Sequence, residues 1–290
     1  MSDFEYQPED NETTRATVRS SVRVTPEDRE EVRLLTLAVA EPAGYFQEGQ
    51  NVGVLIPGPH AFGNKYHHRY YTIAQARPAG DGTELELLVR RCFYIDEVSG
   101  EQYPGLASNL LCDAREGDAI TLTGPYRSAF RVPADPASNL LMLGTGTGVA
   151  PFRAFLRRIY DERKSEQQGW QGQVRLYYGA RSGADLLYMN DENHDLDQYY
   201  DQATFQAIKA LRAGLLSDEA DALGQGVADH AGEILKLVQD GRTHVYLAGM
   251  KKVADTLDQV MARAAGSAAA WQDLKQKLVE ERRWSELTYH

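Results

Sequence analysis

The spacing of apolar and polar positions divides the chain in two. From about Ala16 to Val132 short runs rich in β-branched or aromatic residues follow one another: ATVRSSVRVT, EVRLLTLAV, NVGVLIP, YYTIAQA, TELELLVRRCFYI and DAITLTG. Their partial period of two reads as strands, and turn formers such as EPAG, PGPHAFGNK and RPAGDG separate them. Six strands with little helix predict an antiparallel barrel. SNLLCDAREG predicts one short helix before the last strand, with Ser108 or Asn109 as its polar start.

The pattern changes after PADPAS at Pro133–Ser138. NLLMLGT and QVRLYYGA read as buried strands, and THVYLAG as a third. TGVAPFRAFLRRIYDER predicts a helix with Phe152, Phe155, Leu156 and Ile159 on one side. ADHAGEILKLVQDG, KKVADTLDQVMARAA and WQDLKQKLVEERRW predict three more. In ATFQAIKALRA strand and helix readings compete. Alternating strands and helices predict an α/β domain with a parallel sheet covered on both faces.

Length supports the division, since 290 residues suit two domains. The expectation is a flexible N-terminal extension over 1–15, a barrel domain over 16–134 and an α/β domain over 135–290. With 31 Lys and Arg against 42 Asp and Glu, the formal charge is −11. That argues against nucleic acid as a partner. Cys92 and Cys112 belong to no CxxC or Cys/His pattern, so no metal site or iron–sulfur cluster is expected. No apolar run approaches the ~20 residues that cross a bilayer, so membrane insertion is not expected. The start, MSDFEYQPEDNETTR, has no apolar core and is not a secretory signal. The simple expectation is a cytoplasmic protein.

Three segments carry candidate chemistry. In LGTGTGVAPFR (Leu143–Arg153), Gly144, Gly146 and Gly148 follow a buried strand and precede a helix. Glycine lets the backbone turn and lets a ligand approach, and amides at a helix start hold phosphate. Thr145 and Thr147 add hydroxyls. The spacing is neither GxGxxG nor a Walker motif, and a purely structural turn fits it equally well. In HHRYYT, alternation puts Arg69, Tyr71 and Ile73 on one face and His68, Tyr70 and Thr72 on the other. Arg grips phosphate and Tyr stacks on a ring. With Arg90, Arg91 and Tyr94 this suits a phosphorylated aromatic cofactor; a tyrosine-rich barrel face with solvated arginines is the competing reading. The third segment is the end, WSELTYH, where an aromatic is either a loose end or a lid and Trp284 packs the last helix.

Taken together in this order, RYYT, VRRCFY, GLASNLLCD, TGPY, LGTGTGVAPFRAFL, YYGARSGADLLY, HVYLAGMKK and WSELTYH resemble the plant-type ferredoxin–NADP(+) reductase family over roughly Glu30–Tyr289. The resemblance implies an antiparallel FAD-binding β-barrel followed by an α/β parallel-sheet NAD(P)-binding domain. It implies that Arg69 binds the FAD pyrophosphate, Tyr71 stacks on the isoalloxazine and Thr72 faces flavin N5. Arg90 belongs with this cofactor-binding set. Tyr94 takes the place of an aromatic against the adenine, and Ser108 that of a serine reaching the pyrophosphate. Thr145, Gly146 and Gly148 would receive the nicotinamide nucleotide's pyrophosphate, with Thr147 at the turn between cofactors. Tyr289 matches the aromatic that covers the flavin and moves when nicotinamide enters.

The chain also departs from that pattern. Ala248-Gly249 stands where the family has Cys-Gly near the nicotinamide. Leu287 replaces an acidic residue before the terminal Tyr, so Glu286 becomes the candidate substitute, and His290 follows Tyr289. Lys209 and Arg212 fall near the site that reads the 2′-phosphate, without the usual Ser-Arg pair. The implied activity is hydride exchange between FAD and NADP(H), with NAD(H) left open, and single-electron exchange with an acidic ferredoxin or flavodoxin. Arg157, Arg158, Arg163, Lys164, Lys251, Lys252, Arg282 and Arg283 are candidate positive rims for that partner or ordinary surface charges. A reductase feeding an oxygenase or another separate carrier is one alternative. A non-catalytic flavin-binding regulatory or assembly module is another.

Overall fold

The computed structural model describes residues 13–58, 64–96, 99–128, 130–161, 169–214 and 217–289. The chain divides into two compact units, Met1–Ser128 and Ala129–His290. This division precedes the Pro133–Ser138 stretch at which the sequence pattern changes. Phe130 supplies the reason. It is buried in the second unit against Phe152 (ring centroids 6.0 Å apart) and Tyr246 (5.5 Å). The Tyr246 hydroxyl also donates to the Arg131 carbonyl at 2.6 Å.

The first unit contains β1 (Thr13–Arg23), β2 (Val32–Val39), β3 (Asn51–Pro57), β4 (Tyr66–Ala79), β5 (Gly82–Arg90), β6 (Phe93–Ile95), β7 (Gln102–Pro104), α1 (Leu106–Asp113) and β8 (Ala119–Tyr126). Six strands close into a barrel in the order β1-β2-β5-β4-β3-β8, with β8 returning to β1. Each pairing is antiparallel. Closure pairs every strand on both sides and leaves no edge. Val18, Leu35, Leu37, Val52, Val54, Ile73, Leu85, Leu87 and Leu122 fill the interior, as the period of two requires.

Two expectations change here. TELELLVRRCFYI is not one strand: it breaks after Arg90, and β6 pairs with β7 instead. Arg91 sits at the break and donates to Glu31, Asn109 and Asp113, which ties the strand end to α1. That helix begins at Leu106 with Gly105 as its cap, earlier than Ser108 or Asn109. Ser108 lies in the first turn. Its hydroxyl accepts from Cys92 N at 3.1 Å and donates to the Gly105 carbonyl at 3.3 Å.

The second unit runs β9 (Asn139–Thr145), α2 (Ala150–Tyr160), β10 (Val174–Ala180), β11 (Phe205–Leu211), α3 (Glu219–Asp229), α4 (Ala231–Gln239), β12 (Thr243–Met250), α5 (Lys251–Ala264), α6 (Ala268–Glu280) and β13 (Trp284–Tyr289). Its sheet has the order β11-β10-β9-β12-β13, and all four pairings are parallel. Every residue of β9 is buried, as expected of a central strand. Phe152, Phe155, Leu156 and Ile159 of α2 are buried as the helical spacing predicts. The ambiguous ATFQAIKALRA contains the edge strand β11. The terminal WSELTY forms β13 at the other edge rather than a loose end. Among the described residues no helix is long and apolar enough to cross a membrane.

Candidate functional site

In the barrel unit, the candidate residues gather around the middle of β4 and the start of α1. Arg69 is exposed, and Tyr71 is half-buried against the barrel core. Burial, then the nearby thiols of Cys92 and Cys112, push the Tyr71 phenol far above its ordinary value, while Arg69 pulls it down. The ring is therefore neutral and close to both the Arg69 charge and the β5–α1 junction. Thr72 lies opposite Asn51 on β3, and its hydroxyl donates to Asn51 Oδ1 at 3.0 Å. Arg90 pairs with Glu30 at 3.4 Å.

The start of α1 lies beside this strand. Gly105 N donates to the Cys92 carbonyl at 2.9 Å, and Asn109 N donates to the Gly105 carbonyl at 3.1 Å at the start of the helix ladder. Helix geometry leaves the amides of Leu106, Ala107 and Ser108 without intrahelical acceptors, which suits a phosphate. The Ser108 side chain is turned inward and engaged by backbone groups, so its contribution there is its amide and the seating of the helix. Tyr94 is exposed on β6 and stacks on Tyr103 of β7, with centroids 5.5 Å apart and planes at 23°. On the outer barrel face, His68 Nε2 and the Tyr126 hydroxyl both meet Thr123 Oγ1 (2.8 and 3.0 Å), and Tyr70 packs edge-on against both rings. An arginine, a helix start and aromatic rings around one strand end fit a cofactor that carries both a pyrophosphate and aromatic rings.

In the second unit the glycine run leaves β9 and makes a 3-10 turn over Gly146–Val149 before α2. The sheet order places this turn at the switch point: the chain moves from β9 outward to β10 and β11, then returns to β12 and β13. Parallel sheets bind ligands at the carboxyl edge of that point. Gly148 is forced by packing, because a Cβ there would lie 2.7 Å from both the carbonyl carbon and oxygen of Ala248. Gly146 and Gly249 hold φ of +52° and +148°, values that favour glycine. The turn leaving β9 thus meets the end of β12 through bare backbone at Gly148, and the Thr145 hydroxyl approaches Gly249 beside it. Thr145 is almost wholly buried, so what it offers a ligand is backbone. Thr147 Oγ1 lies 3.3 Å from the Tyr289 hydroxyl. The register Met250↔Tyr289 brings that ring to the turn.

Tyr178 is a feature the sequence reading missed. It is fully buried on β10; its hydroxyl donates to the Gly146 carbonyl at 3.0 Å and accepts from Leu187 N at 3.0 Å. Burial raises its phenol well above the ordinary value, so it remains a donor that pins the turn. An aromatic with a polar tip within the buried stretch of a strand is the signal that reveals it.

Other candidates stand apart. Glu286 accepts from the Trp284 indole at 2.6 Å and pairs with Lys275 at 3.2 Å. Strand alternation puts Trp284, Glu286 and Thr288 on one face and Leu287 and Tyr289 on the other, so Glu286 does not stand in for the missing acid beside Tyr289. Lys209 is exposed on β11 with its ammonium over the Tyr200 ring at 5.5 Å. Arg212 follows β11, and its amide donates to the Ala180 carbonyl at 3.1 Å. Beside it Arg181 leaves β10 and pairs with Glu219 at 2.9 Å. Of the candidate rim charges, Lys252 is bound to Asp218 and Asp221. Arg283 is buried and pairs with the exposed Glu281. Arg163, Lys164 and His290 lie outside the described residues.

Residues 142–259 match the oxidoreductase NAD-binding domain family. The ferredoxin–NADP reductase of Thermosynechococcus vestitus is 36% identical over 250 residues, covering 84% of this chain and 64% of the relative. The chain thus spans slightly less than two thirds of that relative. The cyanelle enzyme of Cyanophora paradoxa is 31% identical over 84% of this chain and 68% of its own length. The Spirulina enzyme is 30% identical over 84% of both. The solved ferredoxin-NADP+ reductase of Plasmodium falciparum aligns over 98% of each chain with a TM-score of 0.69 at 17% identity, a likeness of fold. The same protein has also been solved with 2′P-AMP. A barrel with a phosphate-ready helix start, a parallel sheet with a glycine turn at its switch point and these sequence matches agree: the chain belongs to the ferredoxin–NADP reductase family.

Proposed function

We propose that this protein exchanges hydride with NADP(H) through a bound FAD and exchanges single electrons with a ferredoxin or flavodoxin. The observation that carries the reading is the glycine turn. Only a backbone as bare as Gly148 passes so close to Ala248, and the turn stands where parallel sheets take dinucleotides. FAD, when bound, supplies the hydride and one-electron chemistry that side chains lack.

The chain's own residues bind and orient. Arg69 and the first amides of α1 hold the flavin nucleotide's pyrophosphate, Tyr71 offers its neutral ring for stacking and Tyr94 meets the adenine. Asn51 fixes the Thr72 hydroxyl so that it presents one orientation to the flavin edge. In the second unit, the amides around Gly146–Gly148 and Gly249 receive the nicotinamide nucleotide's pyrophosphate, and Tyr178 keeps the turn in shape. Arg181, Arg212 and Lys209 provide the cations for a ribose phosphate, which favours NADP(H). The electron partner is an acidic carrier, oriented by local positive charge despite the chain's net −11.

The test is NADPH-driven reduction of a purified ferredoxin by the FAD-loaded protein. Ferredoxin reduction at catalytic protein concentration is expected. Flavin reduction without electron passage to ferredoxin or flavodoxin would instead favour a reductase of another carrier.

A further inference from the structure

Two strand ends define a small cationic corner of the second unit. Ala180 at the end of β10 pairs with Leu211 at the end of β11. Arg181 and Arg212 therefore leave the sheet side by side, with Lys209 three residues before Arg212 on β11. In a doubly wound sheet, the strand next to the glycine turn meets the adenosine ribose, and an arginine at its end accommodates a 2′-phosphate. Arg181 holds that place, but its Nε already donates to Glu219 Oε2 at 2.9 Å.

Glu219 is not a casual surface partner. Its side chain is 9% exposed, against 40% for Arg181. It opens α3, and a Cβ on Gly179 of β10 would meet its carbonyl oxygen at 2.4 Å. The backbone thus fixes this carboxylate against the strand end. Its acidic neighbours are otherwise engaged: Asp218 and Asp221 cap α3 and pair with Lys252. Glu219 pairs with Arg181.

We propose that Glu219 is a specificity-determining residue that competes with the ribose 2′-phosphate for Arg181 and so limits the preference for NADP(H) over NAD(H). The inference rests on the assignment of the Arg181 corner to the ribose phosphate. A guanidinium has five N–H donors in a fixed fork, so one carboxylate oxygen does not exhaust it. The carboxylate nevertheless neutralises its charge and repels a dianionic phosphate brought alongside. A nucleotide without the 2′-phosphate meets no such repulsion.

Calorimetric titration of the FAD-loaded protein with adenosine 2′,5′-bisphosphate and with AMP tests this without turnover. Glu219→Gln keeps a hydrogen-bond acceptor but removes the charge. It should tighten the bisphosphate roughly five- to tenfold, the scale of a partly exposed charge interaction. AMP binding should stay within about twofold and report an intact fold. Arg181→Ala should weaken the bisphosphate and leave AMP unchanged. If Glu219→Gln leaves the bisphosphate unchanged, or weakens both ligands together, while Arg181→Ala still weakens the bisphosphate selectively, competition by Glu219 is overturned and the corner stands. If Arg181→Ala spares bisphosphate binding, the corner itself is misassigned and both claims fall.

Discussion

At Gly148 a single hydrogen separates a close backbone approach from a steric clash. A methyl group there meets carbonyl atoms of Ala248 at 2.7 Å, and neither backbone segment is a flexible side chain that swings aside. Gly148→Ala should therefore weaken NADP+ binding by more than tenfold and cost about 1–3 kcal/mol of stability, as overpacking does. Calorimetric titration and thermal melting measure the two effects, and unchanged affinity would remove the turn from the nucleotide site. This residue was legible in the sequence because its meaning is local: a glycine run between an apolar strand and a helix. The strand that carries Arg69, Tyr71 and Thr72 was legible because alternation is local too. Arg181 and Tyr178 were not, since their significance comes from the partner strands beside them. Glu286 shows the reverse failure. Its nearness to Tyr289 in sequence suggested shared work, but strand alternation sends the two side chains to opposite faces.

Among elements, β2, the end of β5 and α1 meet at one partly buried carboxylate. Glu31 accepts from Arg91 and Arg33. Burial works against its ionisation, yet the hydrogen bonds from Arg91 and Arg33 outweigh it and hold the carboxyl below its ordinary value of 4.5. A lowered folded-state pKa contributes stability that is present above the unfolded value and lost as pH falls through the folded one. Glu31→Gln should destabilise the protein by about 1–3 kcal/mol at pH 7, because it leaves charged donors poorly matched. The gap from the unsubstituted protein should close as the pH drops below about 4.5. Denaturant melts from pH 7 to pH 3 measure it, and a gap constant across that range would contradict the ion-pair account.

The barrel strands were readable because one-sided burial stamps a period of two on them, and β9, β10 and β12 because they are short runs rich in apolar residues. Two elements were not. In α3, Gly224 and Gly226 lower helix propensity, but they admit close neighbours: a Cβ at Gly224 would lie 2.4 Å from Thr256 Cγ2. Asp218 and Asp221 supply a reciprocal cap. In β13, the short WSELTY run becomes a strand only because β12 offers an edge for it to pair with.

For the whole molecule, the order of parts was written in the sequence, and the division between them was less so. Pro133 and Pro136 mark a change of texture, while buried Phe130 belongs already to the second unit. The net charge of −11 constrains solubility and partners more than fold. The central claim is that the barrel and the parallel sheet serve one redox cycle driven by a nicotinamide nucleotide. The most direct test is anaerobic stopped-flow mixing of the FAD-loaded protein with NADPH and, in parallel, NADH, following the absorbance of oxidised flavin. The account predicts rapid bleaching with NADPH and slower bleaching with NADH. A fully FAD-occupied protein that neither nucleotide bleaches would contradict it.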